Sequence, residues 1–129
     1  MSCLVTDKFL ESVARSENEP LFEGGRLETI EATGSVPSET FERGYGQTGS
    51  REELERFIKT PKDALEQLRE RLSKLPEAIS LESKRFGNIK ELNLPYQRIL
   101  VSLADNLGIR GLDRFRRLRL AIASDNKEG

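Results

Sequence analysis

Leu94-Pro-Tyr-Gln-Arg-Ile-Leu-Val-Ser-Leu-Ala-Asp-Asn-Leu-Gly-Ile109 runs directly into Arg110-Gly-Leu-Asp-Arg-Phe-Arg-Arg-Leu-Arg-Leu-Ala-Ile-Ala123. The first piece reads as a helix. Pro95 suits a first helical turn, Gly108 suits a C-cap, and Ile99, Leu103 and Leu107 recur at four-residue spacing, which predicts an inward apolar face. The second piece carries arginines at 110, 114, 116, 117 and 119. It has two readings. A helix from Asp113 groups Arg110, Arg114 and Arg117 and leaves Leu112, Phe115 and Leu118 to a core. A turn and strand alternates Leu118, Leu120 and Ile122 with Arg119, Ala121 and Ala123. In either reading, clustered guanidinium groups beside an apolar element suit a polyanion, because the planar fork matches phosphate geometry.

Upstream, the periodicity is helical from Ser50 onward. Ser50-Arg-Glu-Glu53 is a capping box opening a helix with Leu54, Phe57 and Ile58. Thr60-Pro61-Lys62-Asp63 starts another, whose Leu65, Leu68, Leu72 and Leu75 form one stripe that Pro76 is expected to end. Residues 78–94 are irregular, with Phe86-Gly87-Asn88 a turn signal and Ile89, Leu92 and Leu94 available to a core. Thr6 to Arg15 reads as a short helix, broken by Ser16-Glu-Asn-Glu-Pro20. Residues 21–32 fit a short hairpin or an extended arm around Gly24-Gly25. Residues 33–49 read as a linker or long loop. The expected fold is therefore mainly α. A helical domain over residues 50–129, with a basic C-terminal segment, follows an acidic, glycine-rich arm over residues 1–49. That arm carries a short helix, and the chain has room for a short β element.

Net charge conceals an asymmetry. The chain totals −1, yet residues 1–57 hold 12 acids and 6 bases, a net of −6, while residues 94–129 hold 4 acids and 7 bases, a net of +3. The cationic surface is therefore local, and the acidic part can face a different partner. With no histidine and one cysteine, the commonest general base, a Cys-His or Ser-His-Asp site and a structural zinc site are all missing. No catalytic residue, metal ligand set or cofactor is expected, and an enzyme is not. No apolar run approaches membrane-span length. Cys3 has no internal disulfide partner, and the first residues lack a signal-peptide pattern, so a reducing, cytoplasmic or virion-internal location is expected.

Gly44-Tyr-Gly46-Gln-Thr-Gly49 formally fits the dinucleotide-binding glycine pattern. Ser38 to Arg43 makes a poor buried strand before it, and Glu52 and Glu53 would repel a pyrophosphate, so a flexible glycine loop is expected.

Two family resemblances converge on the C-terminal third. Leu103-Ala-Asp-Asn-Leu-Gly108-Ile resembles the first helix and turn of a helix-turn-helix, with small Ala104 four residues before the turn glycine. The segment that follows offers mainly arginine where a recognition helix usually offers Ser, Thr, Gln or Asn. Glu91-Leu-Asn-Leu-Pro-Tyr-Gln-Arg98, then Leu103 to Ile109, then Arg117-Leu-Arg-Leu-Ala-Ile122 resembles the Arg-x-x-x-His family, a small α/β module that binds single-stranded nucleic acid. That resemblance puts Arg98 at the family's arginine and Ser102 where its histidine belongs, and it implies a closing strand over residues 117–122. The candidate nucleic-acid-binding residues are then Arg98, Arg110, Arg114, Arg116, Arg117 and Arg119. The expected partner is nucleic acid. The alternative is protein subunits of a larger complex or viral particle, with no nucleic-acid contact. No membrane is expected, and homo-oligomerisation stays open.

Overall fold

The computed structural model describes residues 3–32, 40–83 and 86–128. They form α1 (Asp7–Phe22), β1 (Thr29–Glu31), β2 (Phe41–Arg43), β3 (Gln47–Gly49), α2 (Arg51–Phe57), α3 (Pro61–Glu82), a 3-10 turn (Ile89–Glu91), α4 (Leu94–Leu112) and α5 (Arg116–Glu128). The architecture is mainly α with one small antiparallel sheet, in the order β1-β2-β3. Contacts group the chain into two compact units, Asp7–Glu70 and Met1–Thr6 with Arg71–Gly129. This grouping differs from a division at 49/50, because α2 packs on all three strands and so joins what precedes it.

In the unit spanning residues 7–70, Asn18 decides the path of α1. Its backbone leaves the helical region (φ −160°, ψ 77°). Its Oδ1 accepts from the Leu21 N–H (3.3 Å) as a cap for one further turn, and its Nδ2 donates to the Gly44 carbonyl (2.9 Å). The break expected within Ser16–Pro20 is thus a capped kink. Residues 40–49, expected as loose linker, pair instead: β2 and β3 form a hairpin with Phe41 opposite Gly49 and Arg43 opposite Gln47. Gly34 and Pro37 of that expected linker lie outside the described residues. The glycine pattern is the hairpin turn. Gly44 and Gly46 take φ values of +72° and +86°, which L-residues adopt at a cost. The Tyr45 N–H donates to Gln47 Oε1 (2.7 Å) and Gln47 Nε2 donates to the Ala64 carbonyl (3.3 Å). Tyr45 is buried, and burial raises its phenol above the ordinary value.

The helix starts read at Ser50 and Thr60 are built as caps. Ser50 Oγ accepts from the Glu53 N–H (3.2 Å). At α3, Thr60 Oγ1 accepts from the Asp63 N–H (3.1 Å), and Asp63 Oδ2 accepts from the Thr60 N–H (3.1 Å). Leu68 and Leu72 are fully buried, as their stripe implies. Pro76, however, does not end α3, which continues to Glu82. A proline removes one helical N–H and crowds the preceding turn. Here the turn beyond it is retained with Ile79 fully buried, and the Ser80 hydroxyl donates to the Pro76 carbonyl (2.7 Å).

In the unit containing residues 71–129, α4 buries a different face from the one expected. Gln97, Leu100, Val101 and Ala104 are buried, whereas Ile99 is 44% and Leu107 47% exposed and Leu103 is half-buried. The difference is roughly a third of a turn about the helix axis. Two polar anchors fix it. Gln97 Nε2 donates to the carbonyls of Leu92 (2.7 Å) and Lys90 (3.2 Å). Asp105, its side chain 4% exposed, accepts from Arg71 Nε (2.7 Å) and Nη2 (3.1 Å). Moving a bidentate carboxylate pair of this kind out of place strands a buried charge.

Two outcomes follow. Gly44→Ala places a Cβ 2.9 Å from the Ala64 Cβ and 2.8 Å from Gln47 Oε1 at a positive φ. The urea midpoint should fall by the equivalent of about 1–3 kcal/mol. Leu100→Ala should cost about 2–5 kcal/mol, and Leu107→Ala less than about 0.5 kcal/mol in dilute solution. Equal losses at the two leucines would reject the assigned face.

Candidate nucleic-acid interface

The arginine-rich segment is positioned by Gly108. Its φ of 79° and ψ of 162° interrupt α4, so residues 109–112 form a separate helical turn. Leu112, fully buried, fastens that turn to the core. Next, Asp113 is held by the Ser83 hydroxyl, which donates to its Oδ1 (2.5 Å). The chain turns through Asp113, Arg114 and Phe115. Backbone N–H groups of Arg114 and Phe115 donate to Gly111 (3.2 Å) and Leu112 (3.0 Å) carbonyls. Helix α5 then starts at Arg116 and is anchored by buried Ile122. Of the two geometries open for this segment, the helix is the one formed. Residues 117–122 are therefore helical at the place where the Arg-x-x-x-His resemblance implies a strand.

The structure sorts the candidate arginines into three kinds. Arg98 is engaged locally: its Nε donates to the Leu4 carbonyl (2.8 Å) and its Nη2 to the Cys3 carbonyl (2.7 Å). Arg119 is half-buried, and its Nε is a buried donor without a hydrogen-bond partner among the described residues. Arg110, Arg114, Arg116 and Arg117 are exposed, and none has a side-chain ion pair or hydrogen bond among the described residues. Several other guanidinium groups are occupied, whereas exposed Arg26 and Arg56 also have no ion pair or hydrogen bond among the described residues, Arg56 lying over the Phe57 ring. Arg15 pairs with Glu11, Glu19 and Glu23. Arg51 pairs with Glu55, Arg69 with Asp7 and Arg71 with Asp105. Arg43 donates to Thr29 Oγ1 and to the Ile58 carbonyl. The exposed set is therefore distinguished by clustering, with four unpaired guanidinium groups within residues 110–117.

Electrostatics sharpen the point. Arg116 and Arg117 occupy the first turn of α5, which contains no acidic residue. A helix N-terminus carries partial positive charge, so cations there are unfavourable and anions favourable. In addition, the Arg117 and Leu118 amides have no backbone acceptor among the described residues. Unsatisfied first-turn N–H donors, a positive helix end and four free guanidinium groups all favour an anion such as phosphate. Sequence spacing located these arginines. It did not locate the helix start that aligns them, because Asp113, the nearest N-cap residue type, is committed to Ser83.

Asp113 and Arg110 also border an open hollow with Glu82 and Ile109. No cluster of metal-ligating side chains and no helix long and apolar enough to cross a membrane occurs among the described residues. No family model, curated protein or solved structure matches the chain.

An expected outcome separates function from fold here. Arg116→Glu exchanges an unfavourable helix-end charge for a favourable one, so thermal stability should rise by about 0.3–1 kcal/mol. Arg114→Ala should leave stability within about 0.5 kcal/mol, since no pair is lost. A large destabilisation by either change would mean that these side chains hold the fold together.

Proposed function

We propose that this chain is a small non-enzymatic protein that binds the phosphate backbone of nucleic acid through Arg110, Arg114, Arg116 and Arg117. The observation that carries the reading is the set of exposed, unpaired arginines at the acid-free start of α5. A cationic helix start is a local electrostatic fault that a bound polyanion repairs, and such faults concentrate at functional sites. Phosphate contacts of this kind position a protein without reading sequence. Arg119 adds a donor at the edge of the same segment, whereas Arg98 serves the scaffold in this reading. A cytoplasmic or virion-internal location fits such a role.

The runner-up is an assembly subunit or adaptor in which the same arginines pair with the acids of a protein partner. Phe115, 39% exposed, and Leu120, 53% exposed, favour it, because they offer apolar area beside the charges.

Fluorescence-anisotropy titration with single- and double-stranded oligonucleotides over a salt series tests the proposal. Affinity should fall steeply with salt. Arg114→Ala combined with Arg117→Ala should lower the slope of log affinity against log salt by about 1.4–1.8, that is 0.7–0.9 per lost phosphate contact, and similarly for unrelated sequences. Unchanged affinity and slope reject the phosphate role. Loss of a protein partner with no oligonucleotide binding selects the assembly reading.

A further inference from the structure

The exposed face of α4 between Tyr96 and Leu107 is apolar, uncharged and unused by the arginine site. Helical spacing sets Tyr96, Ile99, Leu103 and Leu107 within an arc of about 80° over about 17 Å of helix. Ile99 and Leu107 are 44% and 47% exposed, and Tyr96 and Leu103 are half-buried. Their exposed polar neighbours are Ser102 and Asn106, both neutral. The two charged residues of this stretch are turned to other work: Arg98 holds the carbonyls of Cys3 and Leu4, and Asp105 holds Arg71. In a chain whose residues are 33% charged, a helix face from Tyr96 to Leu107 without a free charge is a surface left for apolar contact.

We propose that this face docks a second copy of the chain, with the two α4 helices antiparallel across a two-fold axis at Leu103. The spacing is self-complementary: Ile99 and Leu107 lie four residues to either side of Leu103, so an antiparallel pair sets Ile99 of each copy against Leu107 of the other. That is the isologous arrangement a closed dimer requires. Charge fixes the direction. The free arginines at 110, 114, 116 and 117 follow the C-terminal end of this face. A parallel pair would bring both clusters together, whereas an antiparallel pair holds them at opposite ends. Charge also selects the occupant. An acidic or basic partner finds no free charge on this face to recognise it, and a neutral face matched to itself meets no repulsion. Three leucine-sized side chains supply well under the roughly 800 Å² per partner of a standard interface, so the association is weak and concentration-dependent.

Sedimentation equilibrium from about 10 µM to 1 mM, the range suited to an interface of this size, should give a mass rising toward twice the monomer. Leu103→Glu should stay monomeric throughout with an unchanged circular-dichroism spectrum. Disulfide trapping in a Cys3→Ser background tests the axis, since facing positions on packed helices come within bridging range. Leu103→Cys should cross-link with itself. Ile99→Cys mixed with Leu107→Cys should cross-link faster than either alone, and Glu77→Cys sets the rate of random collision. A monomer at the highest concentration overturns the proposal. So does association that Leu103→Glu leaves intact, or self-pairing of Ile99→Cys that outpaces the mixture. These readings need no nucleic acid, so they stand or fall apart from the phosphate site.

Discussion

The left-handed backbone of Gly108 is the constraint on which the C-terminal region depends. Nothing lies within 4 Å of where its Cβ would stand. The requirement is thus conformational: φ of +79° is open to glycine and costly for other residues. Were α4 to run straight through this position, the arginines beyond it would continue down one long helix. The break instead lets Leu112 enter the core and lets Asp113 reach the Ser83 hydroxyl. With those two points fixed, the chain turns at Arg114 and restarts a helix at Arg116. Every free guanidinium group of the candidate site follows from that geometry.

Several charges elsewhere in the chain are satisfied by nearby partners. Arg15 is bound by three glutamates, and hydrogen bonds to the Glu23 and then the Glu11 carboxylate raise its already high pKa. Arg71 and Asp105 supply the more buried pair, which ties α4 to Arg71. Surface pairs of the first type add little to stability, and the value of the second lies in the cost of breaking it. Against that background, the unpaired arginines of residues 110–117 stand out as a cluster, two of them at the positive end of α5. The same logic isolates the neutral face of α4, since both of its neighbouring charges are already committed.

How much of this was legible in the sequence depends on how local the cause was. Caps at Ser50 and Thr60 involve neighbours three residues apart, and both were readable. So were Leu68 and Leu72, whose stripe is flanked by charge. The hairpin over residues 41–49 escaped because each strand has three residues, mostly polar, and because its glycines resemble a linker until paired. Pro76 misled because the loss of one helical bond is outweighed when the next turn is buried, a fact of packing rather than composition. The α4 face escaped for a further reason. Ile99, Leu100, Val101, Leu103, Ala104 and Leu107 make that helix apolar on more than one side, so periodicity does not choose. Gln97 and Asp105 chose, through partners at Leu92 and Arg71 that no local pattern announces. For the arginines, clustering was visible, but which were free was not: Arg98 is taken by backbone carbonyls from the other end of the chain.

The central claim is that an anion belongs at the start of α5 among the free arginines. A two-dimensional NMR titration of the isotope-labelled protein with a short oligonucleotide tests it most directly. The account predicts that the backbone amides of Arg117 and Leu118 and the guanidinium Nε signals of Arg114, Arg116 and Arg117 shift first and together, and that inorganic phosphate produces the same pattern more weakly. Shifts confined to other segments, or none at these amides under low-salt saturation, would contradict it.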